Sequence, residues 1–458
     1  MSERVPPKER MDGLETPKRY FAIFAISCGV ALMVMDNNLP TVALPTIAQD
    51  LNIDGSSAIL IVSVQQLVLV MTLLPLSAIG SRIGLKRMYQ LGLCVFLLAS
   101  LLCFFAPTLP LLLLARGLQA LGAAAALSVM SALVRATYPA NQLGRGLGIN
   151  AVVVASAAAV APVLGGFIVS AVSWRWIFLA ALPLGLLSLL VGQRSLPRVE
   201  VHAESISPLG ALLCALTFGL IISGLLGLAR DYHPPTSIVV LASGVLVAVA
   251  FIRRELQQEL PILPVDLLAD RAVALSILGA LFAFMASMIL VLSLPFRLQD
   301  EFGLSPSQIG AVLAPLPLAM MVVAPLAGTL SDRYHPGILG GIGMTVASSG
   351  LLLLTLLPGD ATQVEIAWRM AMCGAGYGLF LSPNARLIVS AAPLHRAASA
   401  GGLISTNRLT GQALGAAMVA ALLAAGYGSG ALPPALCVGL TLLAGICSIA
   451  RIGYRLAR

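Results

Sequence analysis

Long apolar stretches, each about the length of a membrane-crossing helix, recur along the chain with short polar connections between them. A helix needs roughly 20 apolar residues to cross a bilayer, because every backbone amide must be satisfied inside the segment. On that template the first six spans run 20–47, 57–78, 88–106, 109–134, 146–171 and 174–192. Two more follow at 206–229 and 236–252, and a last six at 272–295, 308–330, 338–357, 364–385, 400–426 and 433–451. The expectation is therefore an all-α integral membrane protein with 14 transmembrane helices. Pro40 and Pro45 are expected to break the long first span, and the eighth is short. The longest connection, about 253–271, leaves no room for a soluble domain. The polar segment 1–19 lacks the apolar core and cleavage site of a signal peptide, so the first span is expected to be retained.

Composition agrees with this pattern. Of 458 residues, 59% are apolar and 10% charged, against about 25% charged in a soluble domain. The net charge of +8 gains meaning once the charges are placed. The termini and the connections on their side of the membrane hold 21 of the 27 Lys and Arg, and the opposite connections hold Arg175, Arg230 and Arg297. Lys and Arg concentrate on the cytoplasmic side of short loops, so both termini are expected in the cytoplasm. The charge is thus a topology signal, and no nucleic-acid partner is expected. Seven Cys in apolar stretches and four His in loops suggest neither a disulfide framework nor a metal site. With no Gly-x-x-x-x-Gly-Lys-Ser/Thr, no nucleotide partner is expected. Nor is there a credible Ser/His/Asp constellation, so the chain is not expected to be an enzyme.

Sorting leaves Arg116, Arg369, Arg408 and one acid, Asp36, within the spans. The chain also repeats itself. Ser77 to Arg87, after the second span, and Gly328 to Gly337, after the tenth, align with an offset of 251 residues when Arg82 is set on Arg333. A similar offset brings the fourth span, with Arg116 and Gly122, over the twelfth, with Arg369, Gly374 and Gly376. The expected organisation is a tail at 1–19, a six-helix bundle at 20–192, two inserted helices at 206–252, a second six-helix bundle at 272–451 and a tail at 452–458. Parallel six-span repeats belong to rocking transporters with a midplane binding site.

Several motifs resemble those of the major facilitator superfamily, and within it the fourteen-span drug:proton antiporters of the EmrB/QacA type. Asp36-Asn37-Asn38-Leu39-Pro40-Thr41-Val42-Ala43-Leu44-Pro45 is similar to that family's first-span signature, with Thr41 in place of the usual Asn. Arg116-Gly-Leu-Gln119-Ala-Leu-Gly122 resembles its fourth-span motif, and Ala161-Pro162-Val-Leu-Gly165-Gly166 the core of its antiporter motif. Trp174-Arg175-Trp176-Ile177-Phe178 with Leu182-Pro183 is the strongest subfamily match. Gly374-Ala-Gly376-Tyr-Gly378, Pro383-Asn384 and Arg408-Leu-Thr-Gly411-Gln412 look like its later signatures. The resemblance implies a major facilitator fold, leakage control by Pro162, Gly165 and Gly166, and a cytoplasmic gate drawn from Arg82, Gly84, Lys86, Gly328, Asp332 and Arg333. Ser81 stands where the first gate motif normally has Asp, which leaves that half of the latch in doubt.

Coupled transport needs a driving ion, and desolvation can bring a buried carboxylate into a titrating range. At about 1.5 Å per residue, Asp36 sits ~24 Å into its span and Arg116 ~10 Å from the other side. These depths approach each other in a core of about 30 Å. Asp36 and Arg116 are the candidates for proton coupling; a fixed ion pair or a cap at a broken helix is the structural alternative. Asn37, Asn38, Gln65, Tyr377, Phe380, Asn384, Asn407, Arg408 and Gln412 are candidates for the substrate cavity, with interhelical bonding as the alternative for the amides and snorkelling for Arg408. The expected activity is export of lipophilic, cationic drugs or biocides by proton antiport in a bacterial inner membrane. The partners are then a small molecule, protons and lipid, with a monomer working without a cofactor on the proton gradient. Alternatives are export of an endogenous siderophore or lipid-like product and, from a different class, a membrane sensor or scaffold.

Overall fold

Helix α1 (Lys18–Asp50) passes through Pro40 and Pro45 uninterrupted, contrary to the break expected from those prolines. A proline removes one backbone donor, so Pro40 and Pro45 leave the carbonyls of Asp36 and Thr41 without their helical partner. Close by, Thr41 Oγ1 donates to the Asn38 carbonyl at 2.6 Å and Asn38 Nδ2 to that of Val34 at 2.7 Å, and every residue from Leu39 to Pro45 is buried in the bundle. The computed structural model describes residues 13–139, 143–197, 208–229, 234–258, 265–391, 397–428 and 430–453. The outer parts of both expected tails and the residue assigned to begin the seventh span lie outside these.

The rest of the first half comprises α2 (Gly55–Ile83), α3 (Leu85–Phe105), α4 (Leu109–Thr137), α5 (Leu143–Ala171) and α6 (Trp174–Ser195). Next come α7 (Pro208–Ala229) and α8 (Pro234–Glu255), which pack on each other, α7 also packing against α2. The second half comprises α9 (Arg271–Asp300), α10 (Pro306–Leu330), α11 (Pro336–Thr355), α12 (Gln363–Ala391), α13 (Ala397–Ala424) and α14 (Leu432–Ala450). Twelve helices among the described residues are long and apolar enough to cross a membrane. The fold is all-helical, with about twelve membrane-spanning helices; α12 and α13 match the others in length but carry Arg369, Asn384 and Arg386, and Asn407, Arg408 and Gln412. For orientation, the near face is the end of the bundle at Lys18, and the far face the end at Asp50.

Caps start several helices. Asp54 accepts from Ser57 N at 3.1 Å to begin α2, and Asp270 accepts from Ala272 N at 2.7 Å to begin α9. Each satisfies donors that a helix start leaves open. Glycines set the closest packing. A Cβ on Gly122 of α4 would sit 2.5 Å from the Phe96 nitrogen of α3, and one on Gly376 of α12 2.5 Å from the Gly343 oxygen of α11. Gly92, which faces Gly122 across the same contact, and Gly343 are 251 residues apart, so the repeat read from the loops reappears as the same helix contact in both halves.

Among the described residues, close approaches between the halves gather at the far face. A Cβ on Gly166 of α5 would lie 2.3 Å from the Pro306 oxygen, and one on Gly310 of α10 2.2 Å from the Pro162 oxygen. Ser307 N donates to Ser170 Oγ at 3.1 Å. At the near end of α13, Gly401 and Gly402 have no neighbouring atom within 4 Å of a built Cβ.

Candidate functional site

Asp36 on α1 and Arg116 on α4 meet inside the first half, 4% and 0% exposed. Arg116 Nη1 donates to both carboxylate oxygens, at 3.1 and 3.2 Å. Gln65 Nε2 from α2 donates to one oxygen at 2.8 Å, and Gln119 Nε2 from α4 to the other at 2.9 Å. Each of these amides also turns its oxygen to the guanidinium: Arg116 Nη2 donates to Gln65 Oε1, and Nη1 to Gln119 Oε1. Ser100 Oγ accepts a further bond from Gln119 Nε2 at 2.8 Å, Arg116 Nε donates to the Ile61 carbonyl at 3.3 Å, and the Phe178 ring lies 5.5 Å from the guanidinium carbon. A buried ion pair holds only when such additional bonds satisfy its remaining donors and acceptors. Two glutamines, each bonded to both charges, do that here.

Beside this cluster, between the two halves, lies a cavity of about 290 Å³. Asn37, Asn38, Gln65, Pro162, Tyr377, Arg408 and Gln412 line it with Met33, Thr41, Phe284, Ser287, Met288 and Met320, among others. Gln65 thus belongs to both the charge cluster and the cavity wall. Asp36 and Arg116 do not line the cavity; Gln65 and its neighbours lie between. Asn37 Oδ1 accepts from Gln66 Nε2 at 2.7 Å. Arg408 lies eleven residues into α13, which begins at Ala397, three residues before the expected start. That places it about 16 Å along the helix, deeper than its expected place near the end, and in the cavity wall.

Three residues expected at the cavity lie elsewhere. Phe380 is buried inside the second half, its ring against Gly279 and Gly340. Asn384 donates to the Ser276 carbonyl at 3.1 Å and accepts from Arg451, and Asn407 donates to the Ile277 carbonyl at 3.0 Å. Both amides serve α9 instead, because an interhelical carbonyl is a nearer partner than the cavity. Arg451 was counted only among the terminal charges of the sequence; it is 1% exposed and bonds Ser276 Oγ at 2.8 Å and the Pro336 carbonyl at 3.0 Å. Its signal in the sequence was the set of small polar residues within apolar spans, but nothing there pairs them.

Of the residues assigned to leakage control, Pro162 lines the cavity, Gly165 packs on Leu39 and Gly166 on Pro306. Of those assigned to the gate, Arg82 and Arg333 are exposed at the near face, and Gly84 has φ +98°, a conformation that favours glycine. Lys86 Nζ donates to the Gln193 carbonyl at 2.6 Å, Asp332 pairs with Arg386 on its own half, and Gly328 lies beside Ser382 Oγ. The Ser81 side chain lies outside the described residues.

Among the described residues, no group of His, Cys, Asp and Glu is arranged to hold a metal. Residues 26–416 match the family model described as Major Facilitator Superfamily. The chain is 44% identical over 91% of its length to "Uncharacterized transporter YebQ" of Escherichia coli (strain K12), covering 92% of that protein. "Riboflavin transporter RibZ" of Clostridioides difficile (strain 630) is 27% identical, with 89% of each chain covered. "Multidrug resistance protein Stp" of Mycobacterium tuberculosis is 28% identical, with 88% of this chain and 75% of that one covered. The solved D-xylose-proton symporter superposes with a TM-score of 0.67 at 14% identity, over 94% of this chain and 97% of that one. The chain is a membrane transporter, not an enzyme, and belongs to the Major Facilitator Superfamily.

Proposed function

We propose that the protein is a fourteen-span, proton-coupled exporter of amphiphilic small molecules, working by alternating access between two six-helix bundles with α7 and α8 inserted between them. The near face is then cytoplasmic, in a bacterial inner membrane, and a monomer suffices. The observation that carries the proposal is the double membership of Gln65, which hydrogen-bonds both Asp36 and Arg116 and also lines the cavity. A solute that draws on the Gln65 amide loosens the charge pair, and a proton on Asp36 removes the charge that holds Arg116 and Gln65 in place. Solute and proton therefore act on one network, which is what coupling requires. Export rather than import is supported by the resemblance of Pro162, Gly165 and Gly166 to an antiporter motif, by their position at the inter-half contact, and by the likeness to a protein named for multidrug resistance. The apolar lining fits drugs and biocides, and it fits an endogenous lipid-like product equally well.

The experiment uses everted membrane vesicles with an acid interior and a panel of amphiphilic dyes, comparing wild type with Asp36→Asn. Accumulation driven by the pH gradient is expected in wild type; Asp36→Asn should lose it while still equilibrating dye downhill. Accumulation that ignores the gradient, or that survives Asp36→Asn unchanged, refutes proton coupling at Asp36. A sensor or scaffold would keep its role in Asp36→Asn and carry no dye at all.

A further inference from the structure

Among the described residues, Arg408 alone brings a formal charge to the cavity wall. Asp36 is engaged by Arg116, Gln65 and Gln119 and does not line the cavity. Arg408 has no hydrogen bond or ion pair among the described residues, although it sits deep in α13 and not at its end. Arg408 is exposed, not buried, and a charged side chain well inside a membrane helix faces a cavity or a pathway. The rest of the described wall is neutral amides and apolar side chains such as Phe284, Met288 and Met320.

We propose that the cavity takes an organic anion with an apolar body, its acidic group held by Arg408. A planar guanidinium fork matches a carboxylate or related oxyanion in a two-pronged bond. The methionine and phenylalanine walls accept a variable apolar remainder without fixing its shape. A lipophilic cation finds no carboxylate in this wall and meets Arg408 as a like charge, which turns the sequence-based expectation of a cationic substrate around.

This rests on the exporter reading above, and the test separates the two. Two dyes of one xanthene scaffold and opposite charge, fluorescein and rhodamine 123, are offered to proteoliposomes of the full chain under a proton gradient. Retained dye is extracted at fixed pH and counted for wild type, Arg408→Gln and Arg408→Lys, each first checked for a wild-type melting profile in detergent. Fluorescein should be carried in preference to rhodamine 123. Its apparent affinity should fall at least tenfold in Arg408→Gln and recover to within about threefold in Arg408→Lys. Rhodamine 123 carried by wild type and untouched by Arg408→Gln would overturn the anion assignment and leave the exporter standing. Folded wild type that carries neither dye counts against both.

Discussion

Asp36 and Arg116 show how much a charge depends on its surroundings. Both are buried, and four side-chain donations reach the carboxylate from three residues. Breaking a buried pair from one side costs about 3–5 kcal/mol, because the remaining charge stays buried without its partner. Arg116→Gln and Asp36→Asn should each lower the melting temperature in detergent, and the double variant should lose clearly less than the sum of the two, which a double-mutant cycle reads directly. Additive losses would show that the pair does not act as a unit. The near-face pair offers the contrast: Asp332 and Arg386 have side chains 59% and 51% exposed. Solvent screens such a pair, so Asp332→Asn should change stability by about 1 kcal/mol or less.

At the scale of the helix, glycine position decides what a methyl group does. Gly117 and Gly122 lie on the same helix, five residues apart. A Cβ on Gly117 comes no closer than 3.8 Å to Val64, whereas one on Gly122 meets the α3 backbone at 2.5 Å. Gly117→Ala should leave folding unchanged or stabilise it by about 0.5–1 kcal/mol, since alanine is the better helix former. Gly122→Val should abolish folded protein on gel filtration, because α3 and α4 cannot part without opening the half they build. Equal behaviour of the two variants would remove the close α3–α4 approach as the reason for Gly122. Packing likewise holds α1 through its two prolines, since every residue from Leu39 to Pro45 is buried in the bundle.

For the whole molecule, the proposed alternating access requires the inter-half contact at the far face to open. The Ser307 nitrogen lies 3.1 Å from Ser170 Oγ, across α5 and α10. A double variant carrying Ser170→Cys and Ser307→Cys should cross-link on mild oxidation, stop transport and regain it with reductant, while either single variant stays active under both conditions. The chain's own cysteines are free and, Cys94 apart, buried, so they compete little. Full transport by the cross-linked protein would mean that this seam need not open. The halves are also chemically unequal: the 251-residue offset from Asp36 arrives at Ser287, a cavity residue without charge. In the proposed cycle, protonation therefore falls to the first half, at Asp36, and recognition of substrate charge to the second, at Arg408.

The apolar stretches, the charge bias and the loop repeat were enough to determine a membrane-embedded helical transporter, because span length and backbone satisfaction in lipid leave few other solutions for such a pattern. Depth counted along the helices also brought Asp36 and Arg116 to similar levels, since rise per residue is fixed. What a linear count cannot give is azimuth, the side of each helix a residue faces once the bundle is packed. That alone sent Asn384, Asn407 and Phe380 away from the cavity, joined Arg451 to Ser276, and brought Gln119 and Ser100 into the charge cluster. Helix-to-helix packing by small residues sets those rotations, and each depends on neighbours dozens to hundreds of residues away. The sequence therefore determined which residues are polar inside the membrane. Only the tertiary structure decided which of them answer one another, and which, like Arg408, are left facing the cavity.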